Sequence, residues 1–426
     1  MDRTVEDFVR GLGLDAYLVG GAVRDELLGL DSKDADFVVP GVDYEGLRRA
    51  LEPHGRVEDF EVAGRRVGAR LYPRDKHVRA AAPAGIELAP PRAERSTGPG
   101  RHDFEIVADP NLSIEDDMAR RDFTVNAIAK RLDTGELVDP FSGADDLRNR
   151  VLRAVSDHSF AEDPLRIVRG LRLISQVGLT PDEPTLRQMR DESENIRLVS
   201  GERLGDELAK LLLGTEPARA LRVARDTGVL SVLLPELDPS LDEHTFGVVQ
   251  AAADAGARLP VRLAALLHDT GKPSAPLAEH AERGAQLARH ALARLRYPTR
   301  LRTYVARLIA AHAFRLEDVD ERFARRFLRE HGDELAFDLV THKQADLKGK
   351  GRREDELAAA RLRELLEQQR AQPHRLGDLA IDGSDLLALG YGEGPELGRI
   401  LDSLLDAVVE DPSLNTREQL LERARR

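Results

Sequence analysis

Gly20-Gly21-Ala22-Val23-Arg24-Asp25, followed by Asp34-Ala35-Asp36, are residues of the kind that handle phosphate. Two glycines at a strand-to-helix turn let backbone N–H groups come close to a phosphate at the positive end of a helix. Arg24, one turn into that helix, adds a guanidinium fork to the same phosphates. Asp34 and Asp36 stand two apart at the start of a strand, so both side chains point the same way. Two carboxylates beside a triphosphate suit Mg²⁺, a hard cation that takes oxygen ligands and keeps waters. Two such ions would activate an incoming hydroxyl and stabilise a pyrophosphate leaving group. Gly-Gly alone is usually just a turn, and Asp-x-Asp alone a solvated strand start. Together, in this order, they point to nucleotidyl transfer.

A second constellation lies far downstream. His268-Asp269 follows the apolar run Val261–Leu267 and precedes Thr270-Gly271-Lys272. Adjacent His and Asp leave a helix at different azimuths, so they converge on one metal only at a built site. His244, His280, His312 and Asp346 supply further ligands. Imidazole and carboxylate together suit a divalent transition metal or Mg²⁺. His290, His331, His342 and His374 read as surface residues.

The elements that must position these groups are legible in outline. Residues 16 to 40 read strand, turn, helix, strand: Ala16–Val19 is a short apolar run, Val23–Leu28 has helical spacing, and Asp36–Val39 ends at Pro40-Gly41. Further strands are expected at Arg66–Leu71, Gly85–Leu88, Phe104–Val107 and Glu136–Asp139. The polar, Gly- and Pro-rich stretch Pro90–Gly100 reads as a mobile loop. Residues 1–150 are thus an α/β domain, and from Val151 the chain turns helical. Asp163-Pro164 opens a helix with Pro in its permitted first turn. Amphipathic helices follow at Gly201–Leu213 and Ala218–Val229, and Pro235 and Pro239 mark a linker. The expected division is 1–150, a helical neck over 151–238, a His-bearing helical block over 239–370, and a helical tail over 371–426.

Composition narrows the classes. The chain has 426 residues and 41% hydrophobic content, enough for several packed domains. Aromatics are only 4% and Trp is absent, so the cores must be aliphatic. With no cysteine, disulfides, Cys-ligated zinc and thiol catalysis are excluded. No leader-like start and no bilayer-length apolar run are seen, which gives a cytoplasmic expectation with no membrane partner. A net charge of −13 argues against nucleic acid, but 63 Lys and Arg residues leave room for a local basic face.

Five stretches in order carry a family resemblance. Gly20–Gly29 with Asp34-Ala35-Asp36 resembles the head motif of the class II tRNA nucleotidyltransferase and bacterial poly(A) polymerase family. Arg120–Ala127, Asp139–Leu147, Glu162–Arg166 and Leu204–Gly214 are similar to its second to fifth motifs. The resemblance implies a polymerase-β-like α/β head followed by helical neck, phosphohydrolase-like and tail domains. It implies that Gly21, Arg24 and Arg121 hold the nucleotide and that Asp34 and Asp36 are the catalytic Mg²⁺ ligands. Glu87 is a candidate third catalytic carboxylate. Asp163, Arg166, Arg169 and Arg172 match the family's base-reading helix. Asp163, Arg166 and Arg169 step by three, so they share a face. An Asp acceptor beside an Arg donor can pair with the amine and ring nitrogen that cytosine and adenine both present. Without the resemblance, that face would read as a solvated, salt-bridged helix surface. The downstream cluster resembles the HD phosphohydrolase superfamily. His244, His268, Asp269 and Asp346 stand as its core quartet, and His280 and His312 as the extra pair of two-metal members, holding a divalent metal of unspecified identity.

The expected activity is untemplated addition of C, C and A to the 3′ end of tRNA from CTP and ATP. Metal-assisted hydrolysis of a phosphomonoester or a 2′,3′-cyclic phosphate is expected at the HD site. The same motifs serve A-adding, CC-adding and poly(A) enzymes. An HD phosphohydrolase with a decayed transferase head is the alternative of another class, and intact Asp34 and Asp36 argue against it.

Overall fold

A computed structural model describes residues 2–30, 35–62, 65–96, 104–237, 242–274, 276, 279–348, 350 and 352–425. It divides into two units, Met1–Pro235 and Glu236–Arg426.

The first unit is built on strands β1 (Tyr17–Val19), β2 (Asp36–Val38), β3 (Gly55–Val62), β4 (Arg65–Pro73), β5 (Ile86–Ala89), β6 (Arg92–Ser96), β7 (Phe104–Ala108), β8 (Ala129–Arg131), β9 (Leu137–Val138), β10 (Val151–Leu152) and β11 (Thr180–Pro181). Seven of them form one mixed sheet in the order β3-β4-β5-β2-β1-β8-β9. β2 runs parallel to β5, and β1 is antiparallel to β2 and β8. Leu18, Phe37, Leu71, Ile86 and Leu88 are buried on one face, beneath Val5, Val9, Leu47 and Leu51 of the helices Arg3–Gly11 and Tyr44–Leu51. Burying a side chain such as Phe37 contributes roughly 1.5–3 kcal/mol. The period of two then decides the other face. Residues between the buried ones, Asp36, Glu87 and Arg70, emerge together on the opposite side.

Charged side chains hid β3 from the sequence reading. Its run Arg56-Val57-Glu58-Asp59 lies at the sheet edge, where charge discourages pairing with another chain. The expected loop at Pro90–Gly100 is corrected in part. Arg92–Ser96 is strand β6, paired antiparallel with β7 from Arg92↔Ala108 to Ser96↔Phe104. Its Arg, Glu and Ser composition looks like loop, but a neighbouring strand satisfies its backbone. Thr97–Gly100 lie outside the described residues, as does Asp34.

Helix Leu165–Val177 is the centre of the helical part of this unit. Ile167, Val168, Leu171, Leu173 and Ile174 are fully buried, and Gly201–Leu212 and Pro217–Asp226 pack against it. Gly178, left-handed at φ 73°, ends it.

The second unit is helical. Asp242–Asp254, Leu259–Leu267, His280–Arg294, Thr299–Ala311, Glu321–His331, Asp333–Leu347 and Arg353–Gln369 enclose a core of Leu, Ala and Val. A Cβ on Gly271 would lie 2.0 Å from the carbonyl oxygen of His280, so only glycine lets that helix close on the turn after His268-Asp269. The tail helices Gly383–Ala388, Pro395–Glu410 and Arg417–Ala424 bury Leu386, Leu404, Val408 and Leu420. Arg325 ties them on, donating from Nε to the Val409 carbonyl (2.7 Å) and from Nη1 to Gln369 (3.0 Å).

Candidate functional site

A cleft of about 510 Å³ opens in the first unit over the face that carries Asp36 and Glu87. These two are register partners on β2 and β5. Arg70, the partner of Glu87 on β4, forms an ion pair with it, and its Nε lies 3.0 Å from Glu87 Oε1. Asp36 is exposed toward the cleft.

The wall above this floor is the turn Gly20-Gly21. Gly20 has a positive φ (73°), which favours glycine, and a Cβ there would meet Nη1 of Arg121 at 2.7 Å and displace that guanidinium. Arg24 is held at both ends of its guanidinium. Nε donates to Asp25 (2.9 Å) and Nη1 to Asn126 Oδ1 (2.7 Å). Asn126 donates in turn to Asp122 Oδ1 (3.0 Å), and Arg169 Nε donates to Asp122 Oδ2 (2.7 Å). A chain of three hydrogen bonds thus joins the Gly-Gly helix to helix Leu165–Val177. Asp122 is buried, which would raise its pKa, but Arg169 and Asn126 hold it well below the usual carboxylate range.

The row Arg166, Arg169, Arg172 also lines the cleft. Arg166 is buried and donates from Nη2 to the Arg120 carbonyl (2.7 Å). Arg172 pairs with buried Glu207 (3.1 Å). Asp163 stands just before the helix. Its Oδ1 accepts from the Leu165 N–H (3.1 Å), and Arg203 Nη2 donates to its Oδ2 (2.9 Å). Eight arginines and four carboxylates line the cleft, a balance that attracts a polyanion. Burial lowers the pKa of Arg121 and Arg172, and the Nε of each meets no acceptor among the described residues. Buried donors without acceptors are costly, so an anion in the cleft would be stabilised by them.

Asp117 is fully buried, with Arg120 (2.9 Å) and Arg121 (3.1 Å) against it. Burial pushes its pKa up, but the two guanidinium groups outweigh that and bring it down to about 2. A carboxyl depressed in the folded state adds stability above its unfolded pKa, and that stability is lost as pH falls through the folded value. The window is therefore roughly pH 4 to 2, and the contribution is about 2 kcal/mol. Asp117→Asn is expected to lower stability at pH 7 and to flatten its dependence in that window, read by chemical denaturation at several pH values.

The second unit holds the His/Asp cluster. His244, His268 and Asp346 each offer a ligand atom, all within 4.8 Å of one another, and so do Asp269, His280 and His312. His244 Nε2 is 3.2 Å from Asp346 and 3.6 Å from Asp269. His268 and His312 donate from Nδ1 to the carbonyls of Ala265 (3.0 Å) and Ile309 (2.6 Å), which leaves each Nε2 as the ligand atom. Burial, with His268 beside it, pushes the pKa of His312 down to about 4 and keeps the ring neutral, as a ligand must be. Asp269 and Asp346 are held well below the ordinary carboxylate range against their burial, by His268 and Lys272 for one and by His244 and Lys350 for the other. These imidazoles and carboxylates fit a divalent cation.

The model of the poly(A) polymerase head domain matches residues 16–153, that of the "probable RNA and SrmB-binding site of polymerase A" matches 178–241, and that of the HD domain matches 241–362. The multifunctional CCA protein of Azoarcus sp. (strain BH72) is 41% identical over 321 residues, covering 70% of this chain and 73% of that protein. The multifunctional CCA protein of Methylobacillus flagellatus is 39% identical over 337 residues, covering 74% and 77%. The chain belongs to the family of CCA-adding enzymes. The crystal structure of the Bacillus stearothermophilus CCA-adding enzyme in complex with CTP superimposes with a TM-score of 0.74 at 26% identity, over 99% of this chain and 96% of that one.

As a CCA-adding family member, the chain gathers Gly21, Arg24, Asp36, Glu87, Arg121, Asp163, Arg166, Arg169 and Arg172 around one cleft. Asp163 precedes the helix on whose face the spacing placed it, and its carboxylate accepts from the Leu165 N–H. Asp122, Asn126, Arg203 and Glu207 went unassigned by the sequence reading. Asp122 and Asn126 stand four apart within Arg120–Ala127, and that spacing was the available signal; Arg203 and Glu207 gave none, because their partners lie about 40 residues away. Of the four histidines read as surface, His290 is exposed and His331 is half-buried against Phe327. His342 and His374 are buried, a correction. His374 is covered beside Asp333, 3.3 Å from its Nε2. His342 lies on the inward face of Asp333–Leu347, where the packing of α-helices rather than the polarity of the residue decided its burial.

Proposed function

We propose that this chain adds C, C and A in order to the 3′ end of tRNA, with CTP and ATP as substrates and pyrophosphate as product, and no nucleic-acid template. The observation that carries the reading is the arginine-lined cleft over Asp36 in a chain 41% identical to a multifunctional CCA protein. Gly21, Arg24 and Arg121 hold the triphosphate. Asp34 and Asp36 hold Mg²⁺, which when bound neutralises phosphate charge and helps the tRNA hydroxyl attack. Glu87 is the third carboxylate, oriented by Arg70. Asp163 and Arg166 present an acceptor and a donor to the base, while Arg169 and Arg172 frame them. The head spans 1–150, the neck 151–238, the HD domain 239–370 and the tail 371–426. No described helix is long and apolar enough to cross a membrane, and a cytoplasmic place is in keeping with that.

Incorporation should be measured on tRNA ending at the discriminator base, at the first C and at the second C, with CTP or ATP supplied separately. CTP alone should extend the first two and ATP alone only the third. Extension by ATP alone on every primer, or by CTP alone with no A added, overturns the reading in favour of a poly(A), A-adding or CC-adding relative.

A second activity is proposed from the His/Asp cluster: metal-assisted hydrolysis of phosphomonoesters or 2′,3′-cyclic phosphates at tRNA ends. His268→Ala should abolish it and leave nucleotide incorporation unchanged. Equal hydrolysis by the variant would remove the assignment.

A further inference from the structure

His342 has no part in the ligand sets described above, yet it is fully buried beside them. Neither ring nitrogen has a hydrogen-bond partner among the described residues. A neutral imidazole always carries one N–H donor and one lone pair, and here neither is met by a protein group among the described residues. The ring is placed where a partner would be. Its centroid is 5.2 Å from that of His268 and 5.7 Å from that of His312, and those two are 5.4 Å apart. An imidazole nitrogen about 2.0–2.1 Å from a cation puts its ring centre roughly 3 Å away, so rings sharing one ion stand about 4.5–5.5 Å apart. The three rings are spaced close to that range. His342 also precedes Asp346 by four residues on the helix Asp333–Leu347, so both leave one helix face. Two ligands at that spacing on one helix are a known way to grip a cation.

We propose that His342 is a further imidazole ligand of the HD-site metal centre. This rests on the reading of that cluster as a metal site. Five imidazoles (His244, His268, His280, His312, His342) with Asp269 and Asp346 make a nitrogen-rich set. Such a set favours a divalent transition metal over Mg²⁺.

The test is Co²⁺ titration of the EDTA-treated full-length chain, followed by visible absorption and by metal content after desalting. The parent is compared with His342→Leu, His342→Asn and the double variant His268→Ala/Asp269→Ala. His342→Leu should bind Co²⁺ about 10- to 100-fold more weakly, the scale seen when the support of a metal site is lost. Its melting temperature without metal should equal or exceed the parent's, since an unpartnered polar ring is replaced by an apolar one. The rise in melting temperature on adding Co²⁺ should shrink. His342→Asn keeps a polar side chain, and should show the same loss of affinity if Leu compromises folding. Nucleotide incorporation should stay at the parent's level. In the double-variant background, His342→Leu should change nothing further. Parent-like Co²⁺ affinity in both His342 variants overturns the proposal and leaves the metal site standing. Parent-like affinity in the double variant removes the metal site, and the proposal with it.

Discussion

Asp36→Asn is expected to reduce single-turnover incorporation of CMP at least about 10³-fold, a loss of roughly 4 kcal/mol of transition-state stabilisation. Asp36 stands on β2 between the covered core face and the open cleft: Phe37, its neighbour, is buried in the core, and the alternation turns Asp36 the other way. The substitution keeps the shape and removes the charge that would hold a cation, and an exposed site should cost stability no more than about 0.5 kcal/mol. Under the proposed function CTP is held by Arg24, Arg121 and the other cleft arginines, so its affinity should be retained or should rise when a negative charge is removed beside them. A loss confined to rate separates a catalytic carboxylate from a folding residue. Incorporation within tenfold of the parent, with CTP binding unchanged, would remove Asp36 from the chemistry.

Asp122→Ala should have the largest effect on the first unit as a structure. Asp122 is buried and accepts from Arg169 Nε, Asn126 Nδ2 and the Phe123 N–H (2.9 Å). Arg169 is about a third exposed, so losing its buried partner costs less than the roughly 3–5 kcal/mol of a fully buried pair, on the order of 2–3 kcal/mol. For a unit of this size that lowers the unfolding midpoint by roughly 10 °C. The same deletion takes the acceptor from Arg169 Nε and from Asn126 Nδ2, so the groups proposed to hold the phosphates and to read the base lose their common anchor. Discrimination is the sharper readout. The ratio of kcat/KM for CTP over UTP should fall in Asp122→Asn, which keeps the volume but turns an amide donor toward Arg169. If the midpoint falls and that ratio holds, the network is structural and the arginines read the base without it.

How far these residues were legible depends on the distance over which their partners act. Gly20-Gly21, Arg24 and Asp36 are local: a strand, a left-handed turn and a helix place them, and all three are written within 20 residues. The Arg166, Arg169, Arg172 row is likewise a helix periodicity. Strand β6 was misread because a hairpin is stabilised by its partner, and Arg92–Ser96 contains nothing apolar enough to announce one. His342 was misread because a single polar residue on a helix gives no sign of which way that helix faces. Arg203 was missed because its meaning is its contact with Asp163, 40 residues earlier.

By itself the sequence determined the chemistry on offer: no thiols, two carboxylates after a glycine turn, a run of arginines at helical spacing, and histidines with an adjacent Asp. These follow from residue type and short-range geometry, which the covalent chain carries with it. Only the tertiary structure decided which of these groups share a volume. Sheet order put Glu87 beside Asp36, although 50 residues separate them in sequence, because a parallel β2–β5 pair requires a long crossover. Helix packing turned His342 inward toward two other rings and left His290 in solvent. Proximity across long loops carries an entropic cost that only the packed core offsets, so such neighbours cannot be read before the core is known.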